Sequence, residues 1–280
     1  MRGLNMPPAL PDVLSCDDKY IYMRSQKFDF QGQRTEVVAA DDATAQIGDA
    51  AHLFCTTGFL DGSWFHRSYQ LYGQTVLNGC NWWFRAGKYA PAGRLMVFDD
   101  ETIYGYGRQP RYFVWSPALE YRLYAAEKNV KPESVGRAVA GRQELEKRDG
   151  RWIFNREVTG QLSVEQLSAA DVKWSQDQPP LIARAMVLTS GTLFVAGPPD
   201  VLDEEAAVAR RWDADVQKQI DEQDAALAGR RGALLWAVSA ADGKRLAELQ
   251  LDAMPVWDGM AAAGGRLYLA TADGKLRCFE

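Results

Sequence analysis

Cysteine and histidine are scarce. The 280 residues hold four cysteines, Cys16, Cys55, Cys80 and Cys278, and two histidines, His52 and His66. No two cysteines are adjacent and no Cys-x-x-Cys occurs, which excludes zinc fingers and dithiol redox motifs. Scattered single cysteines read as small buried hydrophobes. No run approaches the roughly eighteen apolar residues of a membrane helix. The opening MRGLNMPPALPD has no apolar core and does not read as a signal peptide. A net charge of -5 gives no basic footprint for nucleic acid. Gly-x-Ser-x-Gly and His-Glu-x-x-His are missing, which weighs against serine-hydrolase and metalloprotease chemistry. Gly105-Tyr106-Gly107 lacks the third glycine and the helix that a dinucleotide site needs.

What is present is a core-forming, repetitive chain. At 47% hydrophobic it can bury a substantial interior. Two similar phrases occupy its last fifty residues. Leu234-Leu235-Trp236-Ala237-Val238 runs into Ala241-Asp242-Gly243-Lys244. Arg266-Leu267-Tyr268-Leu269-Ala270 runs into Ala272-Asp273-Gly274-Lys275. Each reads as a strand, an Asp-Gly turn with both central residues at positive φ, and a second strand. Tandem hairpins point to a repeat architecture.

These phrases resemble the β-propeller repeats of the pyrroloquinoline-quinone (PQQ) family. The resemblance implies an all-β propeller, in an extracytoplasmic or periplasmic setting. The adjacent cysteines that stack on the quinone in the alcohol dehydrogenases of that family are absent. No cofactor is therefore expected, with PQQ and calcium as the alternative.

Echoes of an apolar strand, a polar turn and an aromatic-aliphatic strand recur earlier. They begin at Pro11, Gly93, Ala185 and Trp257. Four echoes in a chain of this length predict a single domain over residues 1–280. They also predict an incomplete ring or part of a longer chain, completed by a missing half or an oligomer. Asp17-Asp18, Asp41-Asp42 and Asp99-Asp100 read as turn residues rather than calcium ligands. Pro132 to Asp149 reads as a solvated loop or short helix. Arg111 to Tyr124 reads as an aromatic strand pair, and 151–158 and 172–174 as further strands.

Two stretches stand apart from the repeat. Leu202, Ala209, Trp212, Val216, Ile220 and Leu227 fall at helical spacing, predicting one helical insertion over about 200–231 that packs on the rim. Gly58 to Arg94 is rich in tryptophan, tyrosine and cations. Guanidinium, imidazole and phenol side by side suit an anionic or carbohydrate ligand. The candidate ligand-binding residues are Trp64, Arg67, Tyr69, Tyr72, Trp82, Trp83, Lys88, Tyr89 and Arg94. His66 is the candidate general base. His52, beside Leu53 and Phe54, reads as a core histidine. No metal ligands are predicted. The sequence thus predicts a scaffold that binds a small molecule, a carbohydrate among the candidates, or a protein. The alternative is a quinoprotein-like oxidoreductase or carbohydrate-active enzyme using the His66–Arg67 face.

Overall fold

The computed structural model describes residues 14–36, 51–55, 69–74, 87–112, 120–149 and 161–280. Among the described residues the fold is mainly β, in five antiparallel sheets. The first holds β1 (Ser15–Cys16), β2 (Ile21–Met23) and β3 (Gln26–Phe28). The second holds β4 (His52–Cys55), β5 (Gln70–Gly73) and β6 (Ala92–Gly93). The third holds β7 (Leu95–Phe98), β8 (Thr102–Arg108), β9 (Tyr121–Glu127) and β10 (Val172–Asp177). The fourth holds β11 (Ala185–Leu188), β12 (Thr192–Gly197), β13 (Ala233–Ser239) and β14 (Arg245–Leu251). The fifth holds β15 (Pro255–Ala263), β16 (Arg266–Thr271) and β17 (Leu276–Phe279). In every sheet, strands adjacent in sequence are adjacent in space. The four sequence echoes are the first hairpins of the first, third, fourth and fifth sheets.

Three of the four successive pairs of sheets meet through their first strands, and the second and third meet through β6 and β8. β1 lies beside β4, β7 beside β11, and β11 beside β15. The sequence of β13, Ala-Leu-Leu-Trp-Ala-Val, follows from this stacking. Leu234, Trp236 and Val238 join the core shared with Leu95, Tyr106 and Leu123 of the third sheet. Ala233 and Leu235 join the core shared with Leu267 and Leu269 of the fifth. A strand buried on both faces needs a continuous apolar run instead of an alternating one. Each large side chain so buried contributes about 1.5–3 kcal/mol.

Polar turns repeat as faithfully as the core. Asp17 Oδ1 accepts from the Lys19 and Tyr20 amides, and Asp99 Oδ1 accepts from the Glu101 and Thr102 amides. The Tyr22 and Tyr104 hydroxyls donate to the second oxygen of each carboxylate. These aspartates build turns, as their positions predict. The Asp-Gly hairpins differ from the expected form. Gly243 (φ 73°) and Gly274 (φ 78°) take the left-handed conformation, while Asp242 and Asp273 do not. The Gly274 amide donates to Thr271 O and the Thr271 amide to Lys275 O. This longer loop closes on a single left-handed glycine, so only the glycine needs the conformational freedom.

The helices correct three readings. Pro132–Asp149 is one helix, α1, of 18 residues. Its Val135 and Ala138 pack with Val130, Tyr89 and Ala169, burial that the polar average of the segment hides. Arg111 belongs to a short 3₁₀ turn, Pro110–Tyr112, in place of the expected strand. A one-turn helix, α2 (Val164–Leu167), lies against α1. The insertion between β12 and β13 is two helices, α3 (Glu204–Ala209) and α4 (Ala214–Leu227). Arg210 ends α3 and pairs with Asp213 and Asp215, and Asp213 stands at the N-cap of α4. That cluster restarts the helix and turns Trp212 out to 79% exposure. Only Val216, Gln223 and Ala226 of α4 are buried. Gln223 holds the insertion to its own entry strand: Oε1 accepts from the Val201 and Leu202 amides, and Nε2 donates to Pro199 O.

Of the cysteines, Cys55 is buried, while Cys16 and Cys278 are exposed at sheet edges, against expectation. Residues 151–158 lie outside the described residues. Among the described residues no helix is long and apolar enough to cross a membrane.

Candidate functional site

The predicted residues divide into three groups. His66, Trp64, Arg67, Trp82 and Trp83 lie outside the described residues. Tyr72, Lys88 and Tyr89 are described and contact neighbouring elements of the fold. Tyr72 packs with Met96 and Ile103 and tilts against Phe98 at 5.5 Å. Tyr89 anchors α1, and the Lys88 carbonyl accepts from the Ala169 amide at 2.7 Å. Tyr69 and Arg94 form the third group. Both are buried and both belong to one cluster of tyrosines and arginines.

That cluster is built on the third sheet. The Arg108 guanidinium lies over the Tyr69 ring at 4.6 Å, and its Nη1 donates to the Tyr112 carbonyl at 3.0 Å. The Tyr106 and Tyr121 rings stack at 5.2 Å. Burial pushes the Tyr69 and Tyr121 hydroxyls above their ordinary range, against the nearby charges of Arg108 and Arg94. These phenols stay protonated across the physiological range and act as neutral hydrogen-bonding groups.

Arg94 stands where the repeat delivers it to the site. Arg94 immediately precedes the first strand of the third sheet, Leu95-Met96-Val97, and Arg184 immediately precedes that of the fourth, Ala185-Met186-Val187. Each arginine amide donates to the second strand of its own sheet, Arg94 to Tyr106 O and Arg184 to Ala196 O. Met96 pairs Gly105, Met186 pairs Val195 and Met260 pairs Leu269, so Asp258 is the matching position of the fifth sheet. There the ladder of β15 slips between Pro255 and Met260, and Asp258 takes φ 53°. Its amide donates to Arg184 O at 2.8 Å, which ties the bulge to the neighbouring strand. Bulges re-aim side chains in this way.

The two guanidiniums converge on that bulge. Arg184 Nε donates to Pro255 O at 3.1 Å. The Arg94 guanidinium lies 5.1 Å from the centre of the Trp257 ring. Burial, and then the positive charge of Arg94, lower the affinity of Arg184 for its proton. No carboxylate among the described residues pairs with Arg184, and Asp258 pairs with no cation among them. Sequence reasoning missed Arg184 and Trp257. The echo beginning at Ala185 starts one residue too late, and aligning Arg-x-Met-Val in both copies would have found Arg184.

An acidic group fastens the insertion beside this cluster. The Tyr112 hydroxyl donates to Glu205, which also pairs with Arg111 at 3.2 Å. Glu120 Oε1 accepts from the Glu205 amide. Burial, followed by the charges of Glu120 and Glu204, raises the Asp200 carboxyl to about 7.

A cleft of about 730 Å³ opens between the fourth and fifth sheets, lined by Phe194, Leu235, Leu249, Leu267 and Phe279. It lies at the end of β11 away from Arg184, roughly 13 Å along the strand. The charges on its rim are already satisfied internally: Arg266 with Glu280, and Glu248 with Arg245 and Trp236 Nε1. The rim charges of the cleft are paired with one another, whereas Arg184 has no carboxylate partner among the described residues, so the arginine site is the stronger candidate.

No protein-family model matches the chain, and neither does any curated protein. His52 is the core histidine predicted, stacked on Tyr22 at 3.9 Å with Nε2 against Arg24 O. Among the described residues no group of three or more histidines, cysteines or carboxylates is placed to hold a metal ion.

Proposed function

We propose that this chain is a propeller-type scaffold, built of PQQ-like repeats, that binds its ligand where the first strands of successive sheets begin. Up-and-down sheets, with first strands neighbouring in three of the four successive pairs, support a radial arrangement, in which loops at strand ends around the axis carry the ligand groups. The observation that carries the binding reading is the meeting of Arg94 and Arg184 on the Pro255–Trp257 segment. A half-buried guanidinium with no carboxylate partner among the described residues costs stability, which favours recognition over architecture.

Binding without a bound quinone fits the sequence best, because the adjacent cysteine pair is missing. The extracytoplasmic setting belongs to the same reading.

A crystallographic screen with neutral sugars, carboxylates, phosphates and short peptides tests it. Density clustered at Arg94, Arg184 and Trp257 supports the reading. Density found only in the cleft between the fourth and fifth sheets contradicts it.

A further inference from the structure

We infer that the ligand carries a compact oxyanion, a carboxylate or phosphate group, held by the terminal amino groups of Arg184 beside Arg94 and the Trp257 indole. The inference rests on the binding reading above and adds the chemical class.

Three observations support it. The two arginines occupy one repeat position, immediately before the neighbouring strands β7 and β11, so their backbones bring like charges side by side. The positive charge of Arg94 weighs on Arg184, and an anion bound at Arg184 relieves that repulsion. Arg184 spends one donor, Nε, on Pro255 O, which leaves its two terminal amino groups for a planar anion. A guanidinium presents those groups as a fork that matches two oxygens of a carboxylate or phosphate. Finally, the bulge in β15 moves the third repeat position away. The acidic side chain there, Asp258, is exposed and makes no ion pair with Arg184, so the chain does not supply the anion from its own matching position. Trp257, held under Arg94, adds a flat apolar wall for whatever part of the ligand carries the charge.

The test is a calorimetric and thermal-shift titration of the full chain with sodium phosphate, citrate and acetate. Chloride at matched ionic strength is the reference, and glucose is the neutral control. The expected result is saturable binding of phosphate or citrate that exceeds the chloride reference. Arg184→Gln is expected to weaken that binding at least tenfold, with Arg184→Lys intermediate because it keeps the charge and loses the fork. Phosphate without citrate would assign a phosphate ligand, and citrate or acetate without phosphate a carboxylate. The wild-type titration alone decides the matter if Arg184→Gln does not fold. No anion binding above the chloride reference overturns the inference, as does binding that Arg184→Gln leaves unchanged. Glucose binding that Arg184→Gln weakens, without anion binding, would overturn the inference while leaving the scaffold reading intact.

Discussion

The indole of Trp174 lies against Gly243. Trp174 ends the third sheet and Gly243 closes a turn of the fourth, so the contact joins neighbouring sheets. Trp174 Nε1 donates to the Ala240 carbonyl at 2.9 Å, and Gln176 Nε2 donates to the Gly243 carbonyl. A Cβ built on Gly243 would meet the indole at 2.5 Å, and φ there is +73°. The Asp-Gly phrase that announces the repeat therefore has two duties, to make the turn and to seat the tryptophan of the sheet before it.

Gly243→Ala should destabilise the protein by about 1–3 kcal/mol, from left-handed strain and the displaced ring together. Trp174→Ala should also destabilise it, and the double variant should lose less than the sum, because both changes break one contact. Urea denaturation of the three variants measures this. Strict additivity would mean that the two residues act separately.

Trp212→Ala should change stability by less than about 0.5 kcal/mol, as expected for a side chain that is 79% exposed. Arg210→Ala should cost more helicity, since it removes the pairs to Asp213 and Asp215 that restart the helix at α4. Circular dichroism and thermal melts separate the two outcomes. A large loss from Trp212→Ala would restore the continuous helix that the sequence spacing suggests.

Two glycines of α1 should respond in opposite directions. Gly136 has open space around it, so Gly136→Ala should stabilise by about 0.5–1 kcal/mol through helix propensity. A Cβ on Gly141 would collide with the Gln166 carbonyl of α2, so Gly141→Ala should destabilise. Equal effects at the two sites would argue against the close packing of α1 on α2.

Asp200 should make stability depend on pH. Its folded carboxyl is raised to about 7 from an ordinary value of 3.8, so the folded state binds the proton more tightly than the unfolded chain. Its contribution is complete below about pH 4 and is lost as pH rises through about 7. Asp200→Asn should raise the melting temperature at pH 8 relative to wild type and remove most of the gain at pH 5. A difference independent of pH would contradict this assignment.

Strands are legible in the sequence where hydrophobic periodicity is strong. Asp99, Gly243 and Gly274 mark turns by chemistry local to the chain, and each lies in a turn of the structure. His52 is readable from its apolar neighbours Leu53 and Phe54. The insertion is legible as helix but not as two helices, because spacing counts Trp212 as part of a stripe and cannot see Arg210 drawing Asp213 into a new cap. Helix α1 is faint in the sequence because Tyr89 and Ala169, which bury its apolar side, come from distant parts of the chain. Tyr72 and Lys88 look like site residues by composition, while the contacts of Tyr72 with Met96 and of the Lys88 carbonyl with the Ala169 amide come from distant parts of the chain that local pattern does not reveal. Arg184 escapes notice because its importance comes from the neighbouring strand and from a bulge about 70 residues downstream, neither of which local pattern reveals.

The most direct test of the central claim can be made before the ligand is identified. A broad library of metabolites, sugars and peptides is scored for thermal stabilisation of the full chain and of the Arg184→Gln, Trp257→Leu double variant. The account predicts that compounds stabilising the wild type lose that effect in the double variant. Both proteins should melt at similar temperatures without ligand. Stabilisers that act equally on both proteins would place the site elsewhere and contradict the account.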